Sequence, residues 1–209
     1  MANFINKYLN QSAYDADSTK QYPNTSLVGT DVVFQMSAPA AFGGLTVKYN
    51  ITQAETQYEV SLFNGGGASS GSSESSSESG GGGALPTTMI VDGVSETPIN
   101  TWRFETAGEH IVQYTFEGNT VPQGFIDANV GAATDVIVGT DITNIGSQSF
   151  NKELTSATCL STTPPVIGDP QSFGGSTYDY PIYVPAESVA TYKAATNWSS
   201  LETRIQAIQ

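Results

Sequence analysis

His110 is the single histidine of the 209-residue chain and Cys159 its single cysteine. An imidazole and a thiol do general-base and nucleophilic work near neutral pH, so catalysis is sought first at these two positions. His110 stands in Glu109-His110-Ile111-Val112, an alternating strand beside a turn at Ala107-Gly108, with no serine or cysteine motif presented to it. A base without a nucleophile and an orienting acid assembles no catalytic constellation, so His110 reads as structural or solvent-facing. Cys159 lies in Ala157-Thr158-Cys159-Leu160, where a small buried hydrophobe is expected rather than a reactive thiol. Asp15 with Asp17, and Glu55 with Glu59, place carboxylates at short spacing, but 20 acidic residues make such spacings by chance, and solvated charge is the reading. One histidine excludes a multi-histidine metal site, and no loop has the ligand spacing of a dedicated calcium site. The glycines at 65–67 and 80–83 precede no Lys-Ser or Lys-Thr, so they cradle no phosphate. No catalytic, cofactor-binding or metal-ligating residue is therefore assigned, and no cofactor is expected.

What remains is the scaffold. Lys plus Arg is 7 against 20 for Asp plus Glu, a formal charge of −13, yet charged residues are only 13% of the chain. That is about half the usual fraction. The polarity comes from 23 Ser, 24 Thr and 21 Gly, a composition of turn-rich β-structure. Seven scattered basic residues cannot neutralise many phosphates, so nucleic acid is excluded as a partner, and an anionic membrane surface with it. No apolar run approaches the length of a transmembrane helix. The opening Met1-Ala-Asn-Phe-Ile-Asn-Lys-Tyr has neither a basic region nor the apolar stretch of a secretory signal, so export by that route is not expected. Asn24-Thr-Ser, Asn50-Ile-Thr and Asn197-Trp-Ser match the glycosylation pattern, which is empty without secretion.

Residues 64–84 contain 8 Gly and 8 Ser with 2 Glu, 2 Ala and 1 Asn, and nothing able to enter a core. This composition predicts a flexible linker between two modules, with ends roughly 25 Å apart. The front module, residues 1–63, is expected to attach or oligomerise. Phe4, Ile5, Tyr8 and Leu9 suit a short amphipathic helix or an arm, Ser12 a cap, and 26–28 and 31–34 strands. Leu45, Val47, Tyr49 and Ile51 alternate strictly, as do Tyr58, Val60 and Leu62, which predicts strands with one buried face.

The second module, residues 85–209, opens on Asp92-Gly93, a hairpin dipeptide. Trp102 with Phe104, then His110, Val112, Tyr114 and Phe116, predict a β-hairpin turning at 107–109. Three versions of one phrase follow: Val121 to Phe125, Ile145 to Phe150 and Ile167 to Phe173, with phenylalanines 25 and 23 residues apart. β-Prone stretches lie between them at 135–138, 156–160 and 181–184. A period in the low twenties with one short strand per turn predicts a short solenoid whose coils stack Phe125, Phe150 and Phe173 as core rungs. Pro185, Val189 and Tyr192, then Trp198, Leu201, Ile205 and Ile208, predict a helical cap on the last coil. Tyr178, Tyr180 and Tyr183 near that coil are candidates for recognition.

Several of these phrases carry a resemblance. Thr106–Tyr114, Ile142–Phe150, Leu154–Leu160, Thr162–Pro165 and Ile182–Ala195, in that order, resemble the BspA-like leucine-rich-repeat family of gut Bacteroidales and their phages. Met1–Tyr8, Tyr14–Ser18 and Val28-Gly-Thr-Asp-Val look like the amino termini of virion proteins of crAss-like phages. Together the resemblances imply a mainly β protein without catalysis. Its function would be that of a virion structural or accessory protein, a head fibre or capsid decoration, assembled in the host cytoplasm. The expected partners are other virion proteins bound through the front module, further copies in a homo-oligomer, and a host-surface, glycan or mucin ligand. The alternatives are a bacterial cell-surface or secreted adhesin of the same repeat family and a β-scaffold hydrolase working through paired carboxylates.

Overall fold

The computed structural model describes residues 42–57, 59–64 and 85–209, and the fold is mainly β. The expectations for residues 4–34 and for the 64–84 connection fall on residues outside this description, apart from Asn64. Among the described residues fifteen strands form: β1 (Leu45–Ile51), β2 (Val60–Ser61), β3 (Thr88–Val91), β4 (Val94–Glu96), β5 (Thr101–Trp102), β6 (Gly108–Thr115), β7 (Thr120–Val121), β8 (Ile126–Asp127), β9 (Ala133–Val138), β10 (Asn144–Ile145), β11 (Phe150–Asn151), β12 (Ser156–Cys159), β13 (Val166–Ile167), β14 (Ile182–Val184) and β15 (Ile205–Ala207). One α-helix, α1 (Val189–Ala194), lies between the last two.

Eight strands make one sheet in the order β4-β3-β6-β1-β9-β12-β14-β15. From β4 to β9 the neighbours are antiparallel; from β9 to β15 they are parallel. Two flanking ladders are also parallel: β7, β10 and β13 align Val121, Ile145 and Ile167, and β8 aligns with β11 through Ile126 and Phe150. The thrice-repeated phrase thus becomes side-by-side strands, because residues 24 and 22 apart occupy equivalent positions in successive passes of the chain.

The expected module boundary at residue 63 is corrected by β1. It is a central strand, pairing Val47 with Val112 of β6 on one side and Val136 of β9 on the other. The chain divides at 41/42, and residues 42–64 belong to the same unit as 85–209. The Gly/Ser stretch therefore joins strands of one unit and does not separate two. At the entry to β1, Gly139 donates its N–H to the Gly44 carbonyl at 2.8 Å, and a Cβ at Gly139 would collide with the backbone of Gly43. Only glycine admits so close an approach of two chains.

β1 also wedges the core open. Val112 and Val136 are 24 residues apart, the same step that separates Val121 from Ile145, yet the latter pair directly while the former are held apart by β1. One pass of the chain is thus about 10 Å from the next on the sheet side and about 5 Å on the others. Aromatic rings fill the extra volume: Phe125 stacks on Phe63 at 4.9 Å and meets Tyr114 and Phe116 edge-on at 5.2 and 5.1 Å. The Tyr49 hydroxyl, 3.0 Å from that of Tyr114, donates to the Leu62 carbonyl and ties the return segment down. The expected phenylalanine column consequently shifts by one rung. Phe125 joins the wedge, and the column runs Phe150, Phe173 and Trp198 at 5.1 Å steps.

Two other expectations are corrected. β5 pairs with β2 and not with β6, so no hairpin forms across 107–109; the hairpin in this region is β3–β4, turning at Asp92 and Gly93 with φ of 48° and 86°. The run from Trp198 to Ile208 is not a helix: a 3-10 turn, Trp198–Leu201, leads into β15, which adds the eighth strand. Propensity yields here to the unpaired edge of β14, whose backbone groups need partners.

Side-chain donors of the last pass finish the other carbonyls. Tyr192 donates to Ser161, Trp198 Nε1 to Pro165 at 2.8 Å, and Asn197 to Ile167 and Gly168. Arg204, buried, donates from Nε to Tyr180 and from Nη1 to Phe173 and Gly175, with its guanidinium 4.2 Å above the Tyr180 ring. Each donor replaces the backbone N–H that a further strand would supply.

Candidate functional site

His110 comes closest to a catalytic arrangement and shows why it is not one. Its Nδ1 lies 2.7 Å from Asp92 Oδ2, as in an acid-oriented imidazole, but Nε2 is 2.9 Å from the Thr106 carbonyl oxygen. Both ring nitrogens are thus turned onto groups of the chain itself, and neither is presented to a substrate. The ring is buried against Phe104 at 4.3 Å, and Asp92 also accepts the Ile111 N–H at 2.9 Å. The pair braces the β3–β4 turn against β6.

Cys159 faces the core beside Val138, fully buried, and burial pushes its thiol up to about 12. The thiolate is therefore inaccessible at neutral pH in the folded chain. Cys159 is expected to resist a thiol-reactive maleimide at pH 7 for as long as the fold persists and to react fully in denaturant, which mass spectrometry of the adduct reads.

Glu55 and Glu59 do not meet as a carboxylate pair. Glu55 accepts the Thr52 N–H at 2.7 Å and Glu59 the Thr101 hydroxyl at 3.0 Å, each a local tie. Asp15 and Asp17 lie outside the described residues. Among the described residues no group of three or more His, Cys, Asp or Glu side chains is placed to hold a metal ion, and no helix is long and apolar enough to cross a membrane.

The site the strands do build is on the outer face of the sheet. Alternation puts Val91, Val112, Val47, Val136, Ala157, Ile182 and Ile205 inward in one register row. The adjacent row must then face outward. Ser95 of β4 leads to Ile90, Gln113 and Thr46, and on to Ile137, Thr158, Tyr183 and Gln206 of β15. Each strand contributes one residue, and none is charged. None of the six polar side chains has a hydrogen-bond partner among the described residues; Thr46, in the middle of the row, is buried, and the other five are exposed or half-buried. The flanking outward row differs: Lys48 bonds Glu109 at 3.4 Å, and Ser156 donates to Asp135 at 2.7 Å.

The charge around this row is negative and weakly countered. Arg103 donates to the Thr56 carbonyl, Lys152 to the carbonyls of Val130, Gly131 and Ala133 at 2.7–2.9 Å, and Arg204 is buried. With Lys48 on Glu109, only Lys193 on α1 is an unengaged cation among the described residues. Burial lowers the Lys152 ammonium from its ordinary value, and the three carbonyls hold its charge in place.

Of the candidate tyrosines, Tyr183 faces outward in the row, Tyr178 is half-buried, and Tyr180 is buried beneath Arg204. Asn197 is an internal brace, not a glycan acceptor. Sequence reasoning missed the row because its members are scattered from residue 46 to 206; the two-residue alternation shows which residues face outward, but only register shows that they line up.

Burial raises Tyr49, Tyr114 and Tyr192 above the ordinary tyrosine range and Tyr180 to about 12, against the lowering effect of Arg204. Below the unfolded value near 10 both states are protonated and stability is complete. Above it the unfolded chain loses protons first, so stability falls as pH rises toward 12 and beyond. Alkaline titration is expected to show the tyrosinate absorbance of these four buried residues rising together with the loss of β circular dichroism.

No known family and no curated protein matches this chain.

Proposed function

We propose that this protein is a non-enzymatic bacteriophage virion accessory protein, a head fibre or capsid decoration. Its front segment attaches to other virion proteins, and the body built from residues 42–64 and 85–209 presents a binding face outward. The observation that carries the binding role is the outward row of eight uncharged residues whose polar groups have no partner among the described residues. Apart from the buried Thr46, these groups on the sheet surface are available to a ligand without an internal bond to break among the described residues. The resemblance of Met1–Tyr8, Tyr14–Ser18 and Val28–Val32 to crAss-like phage virion proteins supports the placement on a particle.

We also read the parallel half as a short leucine-rich-repeat-like solenoid of the BspA-like kind. In its favour are the parallel ladders that step 21 to 25 residues, such as Val136 to Ala157, Ala157 to Ile182 and Val121 to Ile145. The capping of forward-facing carbonyls by Tyr192, Asn197, Trp198 and Arg204 fits the terminal unit such a stack needs. The front segment, redrawn to residues 1–41, mediates homo-oligomerisation, and multiple copies on one particle convert weak single contacts into avidity. No cofactor, nucleic acid or membrane enters this role.

Mass spectrometry of purified phage particles tests the placement. Peptides of this chain at a copy number that tracks the major capsid protein support it; absence from particles overturns it.

A further inference from the structure

We infer that the outward row takes an uncharged, hydroxyl-bearing chain, a neutral polysaccharide lying across the strands, and rejects polyanions. The inference rests on the binding role proposed above and names its ligand class. Ser95, Gln113, Thr158, Tyr183 and Gln206, which flank the buried Thr46 on either side, are hydroxyls and amides, each able both to donate and to accept, as sugar hydroxyls are. A carboxylate or sulfate group offers acceptors alone. Such a polyanion would also meet a protein of net charge −13 whose Lys48, Arg103, Lys152 and Arg204 are engaged internally.

A basic peptide fits less well. The acidic groups bordering the row are already engaged, Glu109 with Lys48 and Asp135 with Ser156, so an incoming cation would have to displace an existing bond. Ile90 and Ile137 interrupt the polar groups with branched aliphatic surface, matching the apolar faces of pyranose rings. Eight strands at one residue each give a track about 33 Å long, with a polar or aliphatic residue at each strand step except β1, whose Thr46 is buried, and the step is close to the advance of one sugar in an extended chain. The track crosses the antiparallel and the parallel halves alike, so it exists only because β1 joins them.

The test is affinity electrophoresis of the full chain through native gels containing a neutral β-glucan, a xylan or a mannan, against gels containing heparin or polylysine. Retardation by a neutral polysaccharide, unaltered in high salt and absent with heparin, is the expected result. The Gln113→Ala/Tyr183→Ala double variant should weaken that retardation at least about tenfold while melting with the wild-type chain, since neither side chain has a hydrogen bond to lose among the described residues. Retardation by none of the neutral polysaccharides, retardation by heparin or polylysine in their place, or wild-type retardation of the double variant would each overturn the inference. These outcomes are separate from the particle placement: a chain that binds polysaccharide but is absent from virions sinks the placement alone, and one present in virions without such binding sinks the ligand class alone.

Discussion

Val47→Asp is expected to unfold residues 42–64 and 85–209 together. Val47 is fully buried in the strand that bridges β6 and β9, and its neighbours in the row are Val112 and Val136. A carboxylate there loses its hydration and finds no donor, an effect of about 4 kcal/mol or more. That is a large part of the 5 to 15 kcal/mol that about spans domain stabilities. Among the described residues β1 is the strand that joins the antiparallel and parallel halves of the large sheet, so both halves are expected to lose register without it. Urea denaturation followed by circular dichroism should show the midpoint fall steeply, or no folded baseline at all. Lys48→Ser, one residue along and facing outward, should stay within about 0.5 kcal/mol of wild type. A Val47→Asp chain whose 85–209 portion remains folded would show that the two stretches are independent after all.

The second large effect is expected at the end of the stack. Trp198 is buried, ends the ring column 5.1 Å from Phe173, meets Tyr192 edge-on at 4.9 Å, and caps the Pro165 carbonyl through Nε1. Trp198→Ala should cost about 3 to 5 kcal/mol, because both the ring volume and the cap are lost. Trp198→Phe separates the two contributions: most of the packing survives, the Pro165 carbonyl is left unsatisfied, and a loss of about 1 to 3 kcal/mol remains. Thermal denaturation of the two variants reads the difference. Equal stability of Trp198→Phe and wild type would mean that the carbonyl cap contributes nothing.

Local patterns in the sequence anticipated the local structure well. Alternation at Leu45, Val47, Tyr49 and Ile51 becomes β1, and the phrase beginning at Val121, Ile145 and Ile167 becomes a parallel ladder, because both depend on periods the chain carries in itself. The failures are of another kind. A Gly/Ser composition says that 64–84 contributes nothing to a core, but not whether its two ends belong to separate bodies; that depends on Leu45–Ile51 pairing with residues 57 to 69 positions away. The same long-range pairing drew β5 to β2 and moved Phe125 out of the ring column. Ile205 and Ile208 share helical spacing with Trp198 and Leu201, yet the edge of β14 needed a strand more than the surface needed a helix. The outward row is the extreme case, since every member lies on a different strand.

Hydrogen–deuterium exchange of the full chain, resolved by residue, tests most directly whether β1 is structural to the body that bears this row. The amides of Val47 and Tyr49 are predicted to open only with global unfolding, at the same free energy as those of Val136 and Ala157. Exchange in β1 faster by orders of magnitude than in β9 and β12, with those strands still protected, would contradict the account.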